Sequence, residues 1–284
     1  MGRIILVVET GSDITPELAA KYNIQVVPMH VRIGEKLYDD GSFPVQKIVD
    51  HYYATGFLPK TSGSTVDDFN RVFDEIHDRY PERDILYLAH SATISDSYLN
   101  AYIAAEEREY VHIIDTKQVC IGQLALIIEV AKYIQDHPHV LVHDVIKYVE
   151  KMVSRTKMCF VPNNLDFLRA GGRIKKKHFF RARFLGMHPC IAVINGKLEA
   201  TKNYYGKMSK VATQLVREYA EKYKLKKDRL WLVYTVGLPE EVKNLIENAA
   251  WGCGFNKLHW IQAKGVITTH GGPAAFGLAG ITEE

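Results

Sequence analysis

The feature that most constrains this chain is an alternation in its first half, where short β-branched runs are each followed by an amphipathic stretch of helical period. Ile4–Val8, Ile24–Met29, Ile85–Ala89 and His112–Ile114 are expected to form buried strands. Segments near Pro16–Tyr22, Pro44–Thr55, Asp67–Arg79, Ser97–Arg108 and Gly122–Asp136 are expected to be helices. Strands that are apolar throughout and separated by helices belong in a parallel sheet covered on both faces. The expectation for this half is a doubly wound α/β fold.

The second half is patterned differently. A helix is predicted near Asp144–Arg155 and a strand near Lys157–Phe160. Within Cys190–Ala200, Asn195-Gly196 separates two β-prone runs and suits a two-residue hairpin turn with positive φ at both positions. A helix near Met208–Lys222, a strand at Leu230–Thr235, a helix at Glu240–Trp251 and a strand-rich end complete the chain. The fold class expected is therefore α/β in two domains: a doubly wound parallel sheet over residues 1–155, then a smaller mixed sheet with helices over residues 156–284. A length of 284 residues exceeds the usual single-domain size and fits two units.

Composition excludes several classes. A hydrophobic fraction of 47% with 24% charged residues supplies a globular core and enough apolar surface for an internal cavity. The formal net charge of +3 is too small for a general affinity for polyanions, so nucleic acid is not an expected partner. Cys120, Cys159, Cys190 and Cys253 are isolated, which suits reduced thiols and neither a disulfide framework nor a zinc site. The apolar run Ile4–Val8 is too short for a secretory leader, and no segment approaches the ~20 apolar residues of a membrane span. A cytoplasmic chain without stable membrane insertion is expected.

Four segments rich in hydroxyls and glycine follow predicted strands or apolar runs and are expected to be loops: Glu9–Asp13, Thr61–Thr65, Ser91–Ser97 and Thr268–Pro273. Ligands of open α/β sheets bind beyond the carboxyl ends of the strands, which is where such segments fall. Each also has a plain structural use, since Ser64 or Thr65 would cap the helix near Asp67–Arg79. Together, hydroxyls, His270 and backbone N–H groups at helix starts suit a carboxylate or phosphate. Asn163 or Asn164 is expected to cap a short helix that Gly171-Gly172 terminates, with Arg173 leaving a fixed turn. The basic, aromatic run Lys175–Phe184 suits a solvated helix face with its phenylalanines turned inward, or a docking surface for a protein. The phosphate-loop, dinucleotide, zinc-protease and nucleophile-elbow motifs are all missing. His139 and His143 have ligand spacing but flank Pro138 and an uncertain helix start, so a metal pair is not expected.

In order and spacing the chain resembles the DegV family, in particular the fatty-acid-binding subunit of bacterial fatty acid kinase. Thr61-Ser62 matches the family's TSxPS position, Ile94–Tyr98 its LSGTY and Ile114-Asp115-Thr116 its IDS. Leu165–Ile174 matches L-x-x-L-x-x-GGRI, and Thr269–Ala274 matches H-x-GPG. The resemblance implies a carrier without turnover of its own that buries a long-chain fatty acid in a tunnel reaching into the first domain. Its carboxylate would be held by Thr61, Ser95 and His270, with Ser62 and Arg173 organising the junction. No cofactor is implied beyond that ligand. The implied partner is a separate ATP-dependent fatty acid kinase that converts the presented carboxylate to an acyl-phosphate. Ser64 replaces the proline of TSxPS, and Asp96 replaces the glycine of LSGTY. An ionised Asp96 would repel a bound carboxylate unless it points away or pairs with a cation such as Arg173. Two other readings of the residues stay open: a Ser95–His270 hydrolase, and a binder of another anionic small molecule or of an acidic protein surface.

Overall fold

The computed structural model describes residues 3–172 and 187–283. In the first half, four parallel strands lie in the order Gln25–Val27, Ile4–Glu9, Asp84–Ala89, Val111–Asp115. Ile4–Glu9 is buried at every position because both faces are covered. Its even residues, Ile4, Leu6 and Val8, pack toward helix Cys120–Asp136; Ile5 and Val7 pack toward Phe69 and Phe73 of helix Val66–Arg79. The period-two alternation of a strand thus feeds two separate apolar layers. The second strand stops at Val27, because Pro28 has no N–H to continue the ladder.

Beyond Pro28 the chain enters a three-stranded antiparallel sheet that the sequence reading did not foresee, ordered Lys36–Asp39, His30–Ile33, Lys60–Ser62. Thr61 and Ser62 therefore sit on a strand and not in a loop.

Helix Val142–Arg155 passes directly into strand Thr156–Val161 of a six-stranded mixed sheet. The order is Lys197–Tyr205, Met187–Ile194, Thr156–Val161, Phe276–Ile281, Leu230–Tyr234, Leu258–Gln262, with only the last pair parallel. Asn195 and Gly196 take φ of 49° and 81° at the hairpin, as the turn chemistry predicts. Helices Met208–Lys222 and Glu240–Gly252 cover one face of this sheet. The other face, through Met158, Trp231, Val233 and Ala279, shares one apolar cluster with helix Cys120–Asp136. That helix is buried on nearly every side between the two sheets, which its almost unbroken apolar sequence requires.

The segment Thr268–Pro273, predicted as a loop, is mostly helical: Gly265–Gly271 form a short helix. Its hydroxyls are absorbed by the backbone, Thr268 Oγ1 donating to the carbonyl of Ala263 and Thr269 Oγ1 to that of Gly265. Gly272, at φ 71°, then turns the chain out before Pro273. Among the described residues, no helix is long and apolar enough to cross a membrane.

Candidate functional site

A cavity lies between the two halves of the chain, at the carboxyl ends of the parallel strands. Met29, Thr61, Ser62, Gly63, His90, Ile94, Ser95, Val119 and Cys120 line it from the first half. Met158, Phe160, Leu168, Leu198, Val233, Val266, Ile267, His270 and Phe276 are among those that line it from the second. The space within it open to the centre of a water-sized sphere is about 90 Å³. One water molecule needs roughly 10–15 Å³ and two to four polar partners. The room is present and most of the partners are not, so the lining favours an apolar occupant.

The polar groups gather at one end. His270, on helix Gly265–Gly271, brings Nε2 to 2.9 Å from Thr61 Oγ1 across 209 positions of sequence. The hydroxyl of Ser95 donates to Ser97 Oγ at 3.0 Å and accepts the N–H of Ser97 at 3.2 Å. Ser97 Oγ in turn accepts the N–H of Ser64 at 3.0 Å, and Asn100 Nδ2 donates to the carbonyl of Ser64 at 2.8 Å. Two glycines make these approaches possible. A Cβ on Gly63 would lie 2.7 Å from Ser97 Oγ and 2.9 Å from Ser95 Oγ, and one on Gly171 would overlap the His270 imidazole. Thr65 is not part of this group: it caps helix Val66–Arg79 in a reciprocal capping box with Asp68.

Thr61 and Ser62 also border an open surface groove with His30, Arg32, Lys60 and Asp68. The polar end of the cavity thus lies one strand away from solvent.

Four of the sequence-predicted residues, Thr61, Ser62, Ser95 and His270, line this single cavity. Arg173 and the basic run Lys175–Phe184 lie outside the described residues. Asp96 is exposed and is not among the lining residues. Glu9–Asp13 does not reach the lining either; Thr10–Ser12 form a buried 3₁₀ turn, and Thr10 Oγ1 accepts the N–H of Met29 at 2.9 Å. His143 pairs with Asp144, and among the described residues no group of His, Cys, Asp and Glu is arranged to hold a metal. The hydrogen bond that a Ser95–His270 nucleophile pair requires is not formed, since the Ser95 proton goes to Ser97 and Nε2 of His270 faces Thr61.

Sequence reasoning missed a buried polar network under the cavity floor. Glu9 Oε1 accepts the N–H of His90 at 2.6 Å, and Gln123 donates to Glu9 Oε2 at 3.3 Å and to the carbonyl of Leu88 at 2.9 Å. Gln123 Oε1 meets His90 Nδ1 at 3.0 Å. Burial pushes the Glu9 carboxyl up to about 7 and the His90 imidazole down to about 4. His90 therefore faces the cavity as a neutral ring at physiological pH. A polar residue directly after each buried strand, Glu9 and His90, was the available signal.

Fold and site define a three-sheet α/β protein with a mainly apolar cavity that carries hydroxyls and an imidazole in its lining. The model of the uncharacterised DegV family matches residues 3–283, and the chain belongs to that family. A DegV domain-containing protein of Deinococcus radiodurans is 26% identical over 280 residues, covering 97% of each chain. Among solved structures, a DegV family protein of Thermus thermophilus described for its fatty acid binding superposes with a TM-score of 0.88 at 22% identity, covering 99% of this chain and 100% of that one. A stearic-acid-binding protein of Eubacterium ventriosum superposes with a TM-score of 0.83 at 22% identity, covering 99% and 98%.

Proposed function

We propose that this chain is a fatty-acid carrier, with the acyl chain in the apolar cavity and the carboxylate at the Thr61, Ser62, Ser95 and His270 end. The observation that carries the reading is the meeting of Thr61, Ser62, Ser95 and His270, from three separate segments, in the lining of one mainly apolar cavity. Burying about 12 methylenes contributes roughly 10 kcal/mol before ordering costs. An unpaired carboxylate would cancel much of that, so its oxygens need donors where the tail ends. Hydroxyls and an imidazole supply them without burying a second charge. The two relatives described as binding fatty acids share the fold over nearly their whole length and support the same assignment.

In the finer form of this reading, residues 1–155 and 156–284 are two domains that close on the ligand, and the carrier has no turnover of its own. A separate ATP-dependent kinase meets the carboxylate at the solvent groove beside Thr61 and Ser62 and forms the acyl-phosphate. That groove, which Thr61 and Ser62 also border, gives the polar end an outer face.

The test is to purify the protein without added lipid and compare its mass under native and denaturing conditions. The expected excess is that of one long-chain fatty acid, recovered on extraction. His270→Ala and Ser95→Ala should each lower affinity while leaving the thermal transition near its original value. A protein that neither carries nor takes up fatty acid refutes the reading, as does unaltered affinity in both variants. Incubating the loaded protein with ATP and a fatty acid kinase tests the finer step, acyl-phosphate being the expected product.

A further inference from the structure

The helix that carries His270 is capped from the other half of the chain. The first N–H groups of any helix lack partners within it and are usually met by the side chain of the preceding residue. Lys264, which precedes helix Gly265–Gly271, supplies no such cap. Instead Asp13 Oδ1 accepts the N–H of Lys264 at 2.7 Å, and Asp40 Oδ1 accepts the N–H of Val266 at 3.1 Å. The partners are 251 and 226 positions apart in sequence. Lys264 returns a third tie, its Nζ donating to the carbonyl of Ile14 at 2.8 Å. Gly265 permits the approach, since a Cβ there would lie 2.9 Å from Asp40 Oδ1 and 2.7 Å from the ring of Phe43.

Both carboxylates are almost fully enclosed, at 1% exposure for Asp13 and 4% for Asp40. Asp13 is held in the left-handed region at φ 57°, where its N–H closes the 3₁₀ turn on the carbonyl of Thr10. The groups facing the pair are Cys120, whose Sγ donates to Asp13 Oδ2 at 3.0 Å, the Lys264 ammonium, the Thr10 hydroxyl and each other. Burial pushes Asp13 up to about 7 and raises Asp40 as well. Two buried carboxylates are a costly way to cap one short helix, and packing alone does not require them.

We propose that Asp13 and Asp40 are positioning residues for the carboxylate site: they clasp helix Gly265–Gly271 to the first half of the chain and so hold His270 against Thr61. The proposal rests on the reading of that site as the fatty-acid carboxylate site. It assigns the two aspartates no contact with ligand; they act through the helix. Loss of the clasp frees the helix start, and the imidazole withdraws from the hydroxyl while the rest of the fold is kept.

The experiment is NMR of the full chain without lipid, joined to palmitate titration, for the wild type, Asp13→Asn, Asp40→Asn and the Asp13→Ala/Asp40→Ala double variant. In the wild type the Lys264 amide should titrate with a midpoint of about 7, and Asp13→Asn should abolish that titration. In the double alanine variant the His270 ring resonances should move toward those of a solvated histidine. Palmitate affinity should fall about tenfold there, the scale of one lost hydrogen bond. The asparagine variants keep an acceptor oxygen and should retain most of the affinity, which a general packing defect would not allow. Persistence of the Lys264 titration in Asp13→Asn overturns the proposal, and this variant buries no charge, so it tests the clasp even if the double variant fails to fold. An unmoved His270 resonance in a folded double variant overturns it too. If the wild type takes up no palmitate but His270 still follows the two aspartates, the clasp stands and the lipid reading falls.

Discussion

Gly171 passes directly against the imidazole of His270, so closely that a Cβ would overlap Nδ1 and lie 3.1 Å from Cε1. The backbone there is ordinary, with φ −65°. The glycine is needed for the space it leaves and not for its conformational freedom. Gly171→Ala is expected to push the ring off Thr61 Oγ1 and remove a hydrogen bond of about 0.5–1.5 kcal/mol, a several-fold loss of fatty-acid affinity. Titration with fatty acid alongside thermal unfolding checks this. Unchanged affinity in Gly171→Ala would mean that the ring position does not matter.

Gly63 makes the corresponding demand beside Ser95. Its added Cβ would stand 2.7 Å from Ser97 Oγ and 3.0 Å from the backbone nitrogen of Ser97, which cannot swing aside. Gly63→Ala should cost about 1–3 kcal/mol by overpacking and displace the Ser95 hydroxyl. A lower denaturant midpoint together with weaker fatty-acid retention is expected; a wild-type midpoint would show that the segment yields freely.

Three buried titratable groups shape the pH dependence of stability. Burial raises Glu9 from 4.5 and Asp13 from 3.8, each to about 7, so the native state keeps protons that the unfolded chain has released. Their stabilisation is complete below the unfolded values and is lost as pH rises through about 7. His90 is lowered from 6.5 to about 4, so its contribution is present above 6.5 and is lost as pH falls toward 4. Between about pH 4.5 and 6.5 the two acids outweigh the one imidazole, so stability from these groups should be highest near pH 4 to 4.5, fall as pH rises and level off above about 7. Denaturant midpoints across pH 5 to 9 test it, in wild type and in Glu9→Gln. The variant should flatten the fall between about pH 4.5 and 7; an unchanged fall would mean that Glu9 is ionised in the folded state.

The parts legible in the sequence were those with a local cause. Asn195-Gly196 demanded positive φ at both positions and has it, and helix Met208–Lys222 spans the predicted residues. Asn164 caps helix Leu165–Ala170 through an N–H of Asp166. Thr61, Ser62, Ser95 and His270 lie in segments picked out by their hydroxyls and glycines, the resemblance to the DegV family singled them out as site residues, and one cavity gathers them. The three-stranded antiparallel sheet stayed hidden because strands of three or four residues are too short for alternation to register. Helix Gly265–Gly271 was hidden by hydroxyls that bond back to its own turn. The cavity lining could not be told from core, because Val119, Met158 and Phe276 are core residue types doing either job. The ties through Asp13, Asp40 and Glu9 join residues far apart in sequence, and no local pattern announces them.

A second tie runs in the opposite direction, from the hairpin of the six-stranded sheet to the loop that leads into Ser95. The carbonyl of Gly196, a buried residue, accepts Ser91 Oγ at 2.7 Å and Thr93 Oγ1 at 2.5 Å. Either hydroxyl alone satisfies the oxygen, so Ser91→Ala or Thr93→Val should each change stability by only a few tenths of a kcal/mol. Removing both leaves a buried carbonyl without a partner, which costs about 1–3 kcal/mol. The double-mutant cycle is therefore expected to be strongly non-additive, the combined loss exceeding the sum of the singles. Fatty-acid affinity should change less than stability, because Ser95 is also held by its own turn, its N–H donating to the carbonyl of Ser91 at 3.1 Å. Denaturant unfolding of the four proteins decides the matter: additive losses would mean that the two hydroxyls act separately and that the Gly196 carbonyl is not their common partner in solution.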